Sequence, residues 1–156
     1  MIIRRLKFTV PGEPKGKQRP RVTRTGHAYT PKQTQVYENL VAISFRESFP
    51  EWIPTEEPIN MYFDAYFGIP KSWSNKKKQQ ALSGQIRPTK KPDTDNVSKV
   101  KDALNAIAFK DDAQVIHEET SKFYSDNPRL EITIELWRPN CGALMDGERK
   151  NNHDND

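Results

Sequence analysis

Period-two alternation constrains the fold of this chain more than any other feature of its sequence. Ile59, Met61, Phe63, Ala65 and Phe67 share one side of residues 58–67. Leu6, Phe8 and Val10 share one side of residues 2–10, with Arg5, Lys7 and Thr9 on the other. Leu130, Ile132, Ile134 and Leu136 alternate with Glu131, Thr133 and Glu135. Successive side chains of a strand point to opposite faces, so each segment reads as a half-buried strand. A further strand is expected near residues 113–124, and the Asn127-Pro128 turn predicts a hairpin between it and the last.

An apolar sheet face needs a second layer. Thr30-Pro31-Lys32-Gln33 reads as a helix start, with Thr30 as N-cap, Pro31 at the first helical position and Gln33 reaching back. The helix is expected to run to about Ser48 and to bury Val36, Leu40 and Ile43, with Tyr37 and Val41 beside them. Phe49-Pro50 ends it. A second helix is expected over about Thr94 to Ala108, and a short one from Asn75 to Leu82. Residues 11–30 are rich in Pro, Gly, Lys and Arg and read as a loop. The 156 residues make one domain, expected over residues 1–138, with a flexible polar tail at 139–156.

Charge is distributed in blocks. The net charge of +4 conceals nine Lys/Arg against one acid in residues 1–35, and seven Lys/Arg with no acid in residues 71–91. Such blocks suit phosphate binding, although a solvated loop is the plainer explanation for any one of them. Lys15, Lys17, Arg19, Arg21 and Arg24 form one candidate patch; Lys76, Lys77, Lys78, Lys90 and Lys91 form the other. Cys141 is the only cysteine, which excludes a disulfide framework within one chain and suggests a cytoplasmic protein. No apolar run approaches the roughly 18 residues of a membrane span, and the first residues do not resemble a signal peptide.

Against this basic background stand two pairs of aspartates, Asp93 with Asp95 and Asp111 with Asp112, in KPDTDN and FKDDAQV. Carboxylates gathered at one point repel each other unless a cation compensates them, and oxygen ligands suit a hard divalent ion such as Mg²⁺. A regular helix from Thr94, at about 100° per residue, puts Lys99 and Asp102 within about 40° of Asp95. Val97, Val100, Leu104 and Ile107 then form the opposite, apolar face, and Lys101 points away from the carboxylates. The plainer alternatives are helix capping by Asp93 or Asp95, an i,i+4 salt bridge for Asp95 and Lys99, and a turn at Asp111-Asp112.

KPDTDNVSKVKDALNAIAFKDDAQV resembles the central signature of the RusA family of Holliday junction resolvases, close to D-x-D-N-L-x-K, then D-A-L, then D-D-A/S-Q. GEPKGKQRPRVTRTGHAYTPKQTQVYENLV looks like the amino-terminal block of its phage and prophage branch. In the family pattern one more residue usually separates D-N from D-A-L. The resemblance implies a small single domain of the α/β (α+β) class, a mixed β-sheet with two main helices. It implies a homodimeric, Mg²⁺-dependent, bacterial or phage-encoded endonuclease that cuts four-way DNA junctions symmetrically. It also implies that Asp93, Asp95 and Asp112 bind the metal and that Lys99 is catalytic.

General-base work by Asp111 or His117, and base stacking by Tyr29 or Trp73, stay open beside structural roles for the same residues. Two other function classes stay open as well. A non-catalytic DNA-binding module would explain the basic blocks but not acids beside them. A nuclease of the D…(D/E)-x-K class would have only Glu13-Pro14-Lys15 to offer. No phosphate-cradling G-x-x-x-x-G-K-[ST] loop is present.

Overall fold

The computed structural model describes residues 1–140, so Cys141 and nearly all of the expected tail (139–156) lie outside the described residues. The elements run β1 (Ile2–Pro11), β2 (Arg21–Val22), β3 (Ala28–Tyr29), α1 (Lys32–Ser48), β4 (Ile59–Gly68), α2 (Asn75–Leu82), α3 (Thr94–Ser98), two 3-10 helices (Lys99–Leu104 and Asp112–Gln114), β5 (Val115–Ser125) and β6 (Arg129–Trp137). The main sheet has the order β1-β6-β4-β5 and is mixed: β4 pairs antiparallel with β6 and parallel with β5. The expected α/β (α+β) class, small single domain and mixed sheet are therefore borne out. Among the described residues no helix is long and apolar enough to cross a membrane.

The three alternating segments behave as their period requires. Leu6, Phe8 and Val10 of β1, the five apolar residues from Ile59 to Phe67 of β4, and the four from Leu130 to Leu136 of β6 are all buried on one face. Helix α1 covers β1, with Phe8 and Phe45 meeting edge to face at 5.3 Å; α3 and the 3-10 helix that continues it complete the layer. The opposite sheet face is polar, and Arg5, Lys7, Tyr62, Asp64, Glu119, Ser121, Thr133 and Glu135 line a depression in it.

The hairpin expected between the last two strands does not form. β6 instead lies between β1 and β4, and β5 lies on the far side of β4. Burial decides this arrangement. The inward residues of β6 are fully covered, which needs a strand on each side, whereas the polar sequence of β5 suits a sheet edge. The Arg129 guanidinium bonds Ser125 Oγ at 3.1 Å and the Asn127 carbonyl at 2.9 Å, fixing the turn that carries the chain across.

Three further expectations are corrected. Pro31, not Thr30, occupies the N-cap of α1, and the side chain reaching back is that of Gln35, to the Thr30 carbonyl at 2.9 Å. The buried face of α1 is Thr34, Tyr37, Val41, Ser44 and Phe45, while Val36 and Ile43 are exposed. Phe8 and Phe49, both against Phe45, rotate the helix toward its aromatic side. The loop read at residues 11–30 contains the β2–β3 hairpin, closed through Gly26, whose φ of +85° only glycine adopts at little cost.

Candidate active site

The regular helix expected over residues 94–108 is also corrected. Helix α3 stops at Ser98, where the Ser98 hydroxyl donates to the Asp95 carbonyl at 3.1 Å, and the chain tightens into the 3-10 helix Lys99–Leu104. Ala106, at φ +62°, then turns it away, and the Ala106 N–H donates to the Phe109 carbonyl at 2.8 Å. The apolar face survives the change. Val97, Val100 and Leu104 are buried, and Ile107 packs against them half-buried.

Asp93 stands at the N-cap position of α3, but its side chain accepts no capping hydrogen bond. Asp95 lies in the first turn, and both carboxylates are exposed. Capping does not account for Asp93. It does account for Asp111, whose carboxylate accepts the Ala113 N–H at 2.9 Å in a capping box closed by Gln114. The backbone N–H of Asp112 donates to Asn105 Oδ1 at 2.9 Å, so the Asn of D-A-L-N holds the D-D turn in place.

Asp111 and Asp102 both act on the Asp112 carboxyl. Asp111, partial burial and Asp102 together push the Asp112 carboxyl above the ordinary range, while the Ala113 N–H pulls Asp111 below it. An acid with a raised folded-state pKa contributes stability that is present below its unfolded pKa and lost as pH rises through the folded value. At neutral pH the ionised Asp112 carboxylate thus carries an electrostatic cost, whereas that of Asp111 is stabilised. Asp112→Asn should raise the thermal midpoint in EDTA at pH 7, by about 1–2 °C because solvent screens the group. The gain should fade toward pH 4. A midpoint below that of the wild type at pH 7, read by calorimetry, would contradict the crowding.

The two lysines of the segment part company. Lys101 forms an ion pair with Glu118 of β5. Lys99 is exposed and, among the described residues, takes part in no ion pair.

The amino-terminal basic block comes together with the carboxylate segment. Pro14 to Arg21, Gln33, Thr34, Lys91, Pro92, Asp93 and Asn96 line an open cleft of about 970 Å³. The approach is close. A Cβ on Gly16 would stand 2.7 Å from Pro92 Cβ and 2.9 Å from Asn96 Cβ. The Lys17 N–H donates to the Asn96 carbonyl at 2.9 Å, and the Lys91-Pro92 peptide is cis. Lys15, Arg19 and Arg21 are exposed in this cleft.

Lys17 differs from them. Its ammonium lies 2.9 Å from Asp102 Oδ2 and 3.3 Å from Glu38 Oε1, and Asp102 above all raises its pKa, so it stays charged. Arg24 sits away from the cleft, in the turn between β2 and β3.

The second block is divided. Lys91 lines the cleft, but Lys76, Lys77 and Lys78 lie on α2, which packs on β5. Lys77 stands over the Trp73 ring at 3.9 Å, and Trp73 meets Tyr124 edge to face. The Lys90 carbonyl accepts the Lys122 ammonium. Trp73 is thus a packed residue, and His117 pairs with Glu119 at 3.0 Å beside Tyr62. Asn105 and Glu38 are site neighbours that the sequence pattern did not single out, and the D-A-L-N string was the one visible signal for Asn105; Asp102, which helical spacing places beside Asp95 and Lys99, instead faces Lys17.

Among the described residues no three acidic, histidine or cysteine side chains converge on a metal position as they stand. The donor chemistry nonetheless fits a hard cation. Asp93 and Asp95 offer exposed oxygens not used in capping, and the Asp112 carboxylate is crowded by like charge.

The model of the endodeoxyribonuclease RusA family matches residues 11–135, which span this cleft, both aspartate pairs and two of the four main strands in full. The chain belongs to that family. It is also similar to the uncharacterized protein YqaN of Bacillus subtilis (strain 168), with 46% identity over 135 residues, 83% of this chain and 94% of YqaN.

Proposed function

We propose that this protein is a Mg²⁺-dependent endonuclease that resolves four-way DNA junctions as a homodimer. One observation carries the reading: a basic cleft opens directly onto Asp93, at the head of the aspartate segment of an endodeoxyribonuclease family. Lys15, Arg19, Arg21 and Lys91 offer charge to a DNA backbone without reading sequence. Asp93, Asp95 and Asp112 are the residues that would hold the ion. When bound, the ion supplies charge neutralisation at the phosphate and activation of water. Lys99, exposed on the same segment, would meet the negative charge that grows on the phosphate oxygens as its ester bond breaks. Among the described residues one chain offers one such set of aspartates. A two-fold dimer would offer two to a two-fold junction, whose resolution needs two nicks.

The test is cleavage of an end-labelled synthetic four-way junction, in Mg²⁺ and in EDTA, beside a linear duplex of the same sequence. Paired nicks in two strands of like polarity, in Mg²⁺ only, are expected. Light scattering should give the mass of a dimer. A monomer that nicks a single strand would favour a simple structure-specific nickase instead.

Binding should depend on the cleft in a measurable way. Exchanging Lys15, Arg19 and Arg21 together for Ala should flatten the log–log salt dependence of junction binding by about 0.9 for each phosphate that is no longer neutralised. The same experiment on Lys76, Lys77 and Lys78 reports whether duplex arms reach α2. An unchanged slope in both variants would move the DNA to another surface.

A further inference from the structure

Three parts of the chain meet at the Lys17 ammonium. The amino-terminal loop supplies the lysine, α1 supplies Glu38 and the 3-10 helix Lys99–Leu104 supplies Asp102. The loop is held around this point by two more bonds, Lys17 N–H to the Asn96 carbonyl at 2.9 Å and Gln18 N–H to the side-chain Thr34 Oγ1 at 3.2 Å. Tyr37 lies buried in the same face of α1, and burial pushes its hydroxyl to about 12. By composition Lys17 belongs with Lys15, Arg19 and Arg21 as a phosphate contact. By geometry it is already engaged, with only about a quarter of its side chain exposed.

We propose that Lys17 is a positioning residue: it clamps the basic loop 14–21 to α1 and to the 3-10 helix, and so sets where Lys15, Arg19 and Arg21 hold a phosphate relative to Asp93. The proposal rests on the reading of the cleft as the DNA site. A plain phosphate contact and a clamp predict opposite signs when the carboxylate partners are removed. With Glu38→Gln and Asp102→Asn combined, two negative charges vanish and the ammonium is released. If Lys17 touched DNA directly, binding would tighten. If it clamps the loop, binding weakens as it does in Lys17→Met.

Three measurements on the full chain decide the matter. In DNA-free protein, Lys17→Met and the carboxylate double variant should speed amide exchange at Lys17 and Gln18 at least about tenfold, with β1, β4 and β6 protected as in the wild type. In EDTA, both variants should bind the four-way junction more weakly, by about tenfold. In Mg²⁺, Lys17→Met should lower kcat at saturating junction, since misplacing a bound phosphate slows the step itself, whereas loss of uniform binding raises KM alone.

Tighter binding by the double variant, unchanged exchange at Lys17 and Gln18, or an effect on KM alone would each overturn the clamp. A wild-type protein that binds the junction without cutting it refutes the nuclease reading, while the exchange and metal-free binding arms still decide the clamp. A wild-type protein that does not bind the junction overturns both.

Discussion

Changing Asp93, Asp95 or Asp112 to Asn should reduce junction cleavage at least about 100-fold while leaving binding in EDTA within a few-fold of wild type. The three side chains have little structural work that would explain them otherwise. Asp93 occupies an N-cap position without capping, Asp95 is exposed, and Asp112 is held among other carboxylates at an electrostatic cost. Each substitution keeps the shape and removes a charge, so the fold should survive, and Asp112→Asn should if anything be the more stable protein. Single-turnover rates at saturating Mg²⁺ give the answer. Wild-type-like rates in all three variants would remove the proposed site.

Lys99→Ala should cost about 10²- to 10³-fold in the cleavage step, the range for losing one preorganised charge at a reacting centre. Lys101→Ala should stay within a few-fold. The contrast follows from what each ammonium already does. Lys101 is committed to Glu118, an ion pair at the margin of the sheet worth at most about 1 kcal/mol. Lys99 has no such partner among the described residues and keeps its charge available. The control is junction binding in EDTA, which Lys99→Ala should leave nearly unchanged. If Lys101 proved to be the essential lysine, the Glu118 pair would have to open when DNA binds.

Both lysine predictions could be made from the sequence, yet on an incorrect geometrical ground. The helical wheel assumed a regular helix through residue 108, whereas the chain passes into a 3-10 helix at Lys99 and turns at Ala106. What distinguishes the lysines in the structure is that Lys101 pairs with Glu118 while Lys99 is exposed, with Val97, Val100 and Leu104 anchoring the segment to the core. The segment is also one residue shorter between D-N and D-A-L than the family pattern, and a change of helix type is a natural way to take up a missing residue. The resemblance to the RusA family, carried by KPDTDN and FKDDAQV, was legible before any coordinates and agrees with the match over residues 11–135.

What the sequence determined by itself was local and periodic. The alternation of β1, β4 and β6 specified which side chains enter the core, because a strand that slips by one residue turns its whole apolar face to water. The short helix expected from Asn75 to Leu82 forms with those bounds as α2, and the structure adds Ser74 as its N-cap. Tertiary structure decided whatever depends on partners distant in the chain. The position of β6 between β1 and β4 depends on which strand needs cover on both sides, and only the assembled sheet establishes that. The same holds for Lys17. Nothing in its neighbours distinguishes it from Lys15 or Arg19, and its difference comes from Glu38, 21 positions later, and Asp102, 85 positions later, arriving at one ammonium. Long-range contacts of this kind leave no periodic trace, because a side chain's sequence neighbours fix its local conformation but not what folds against it.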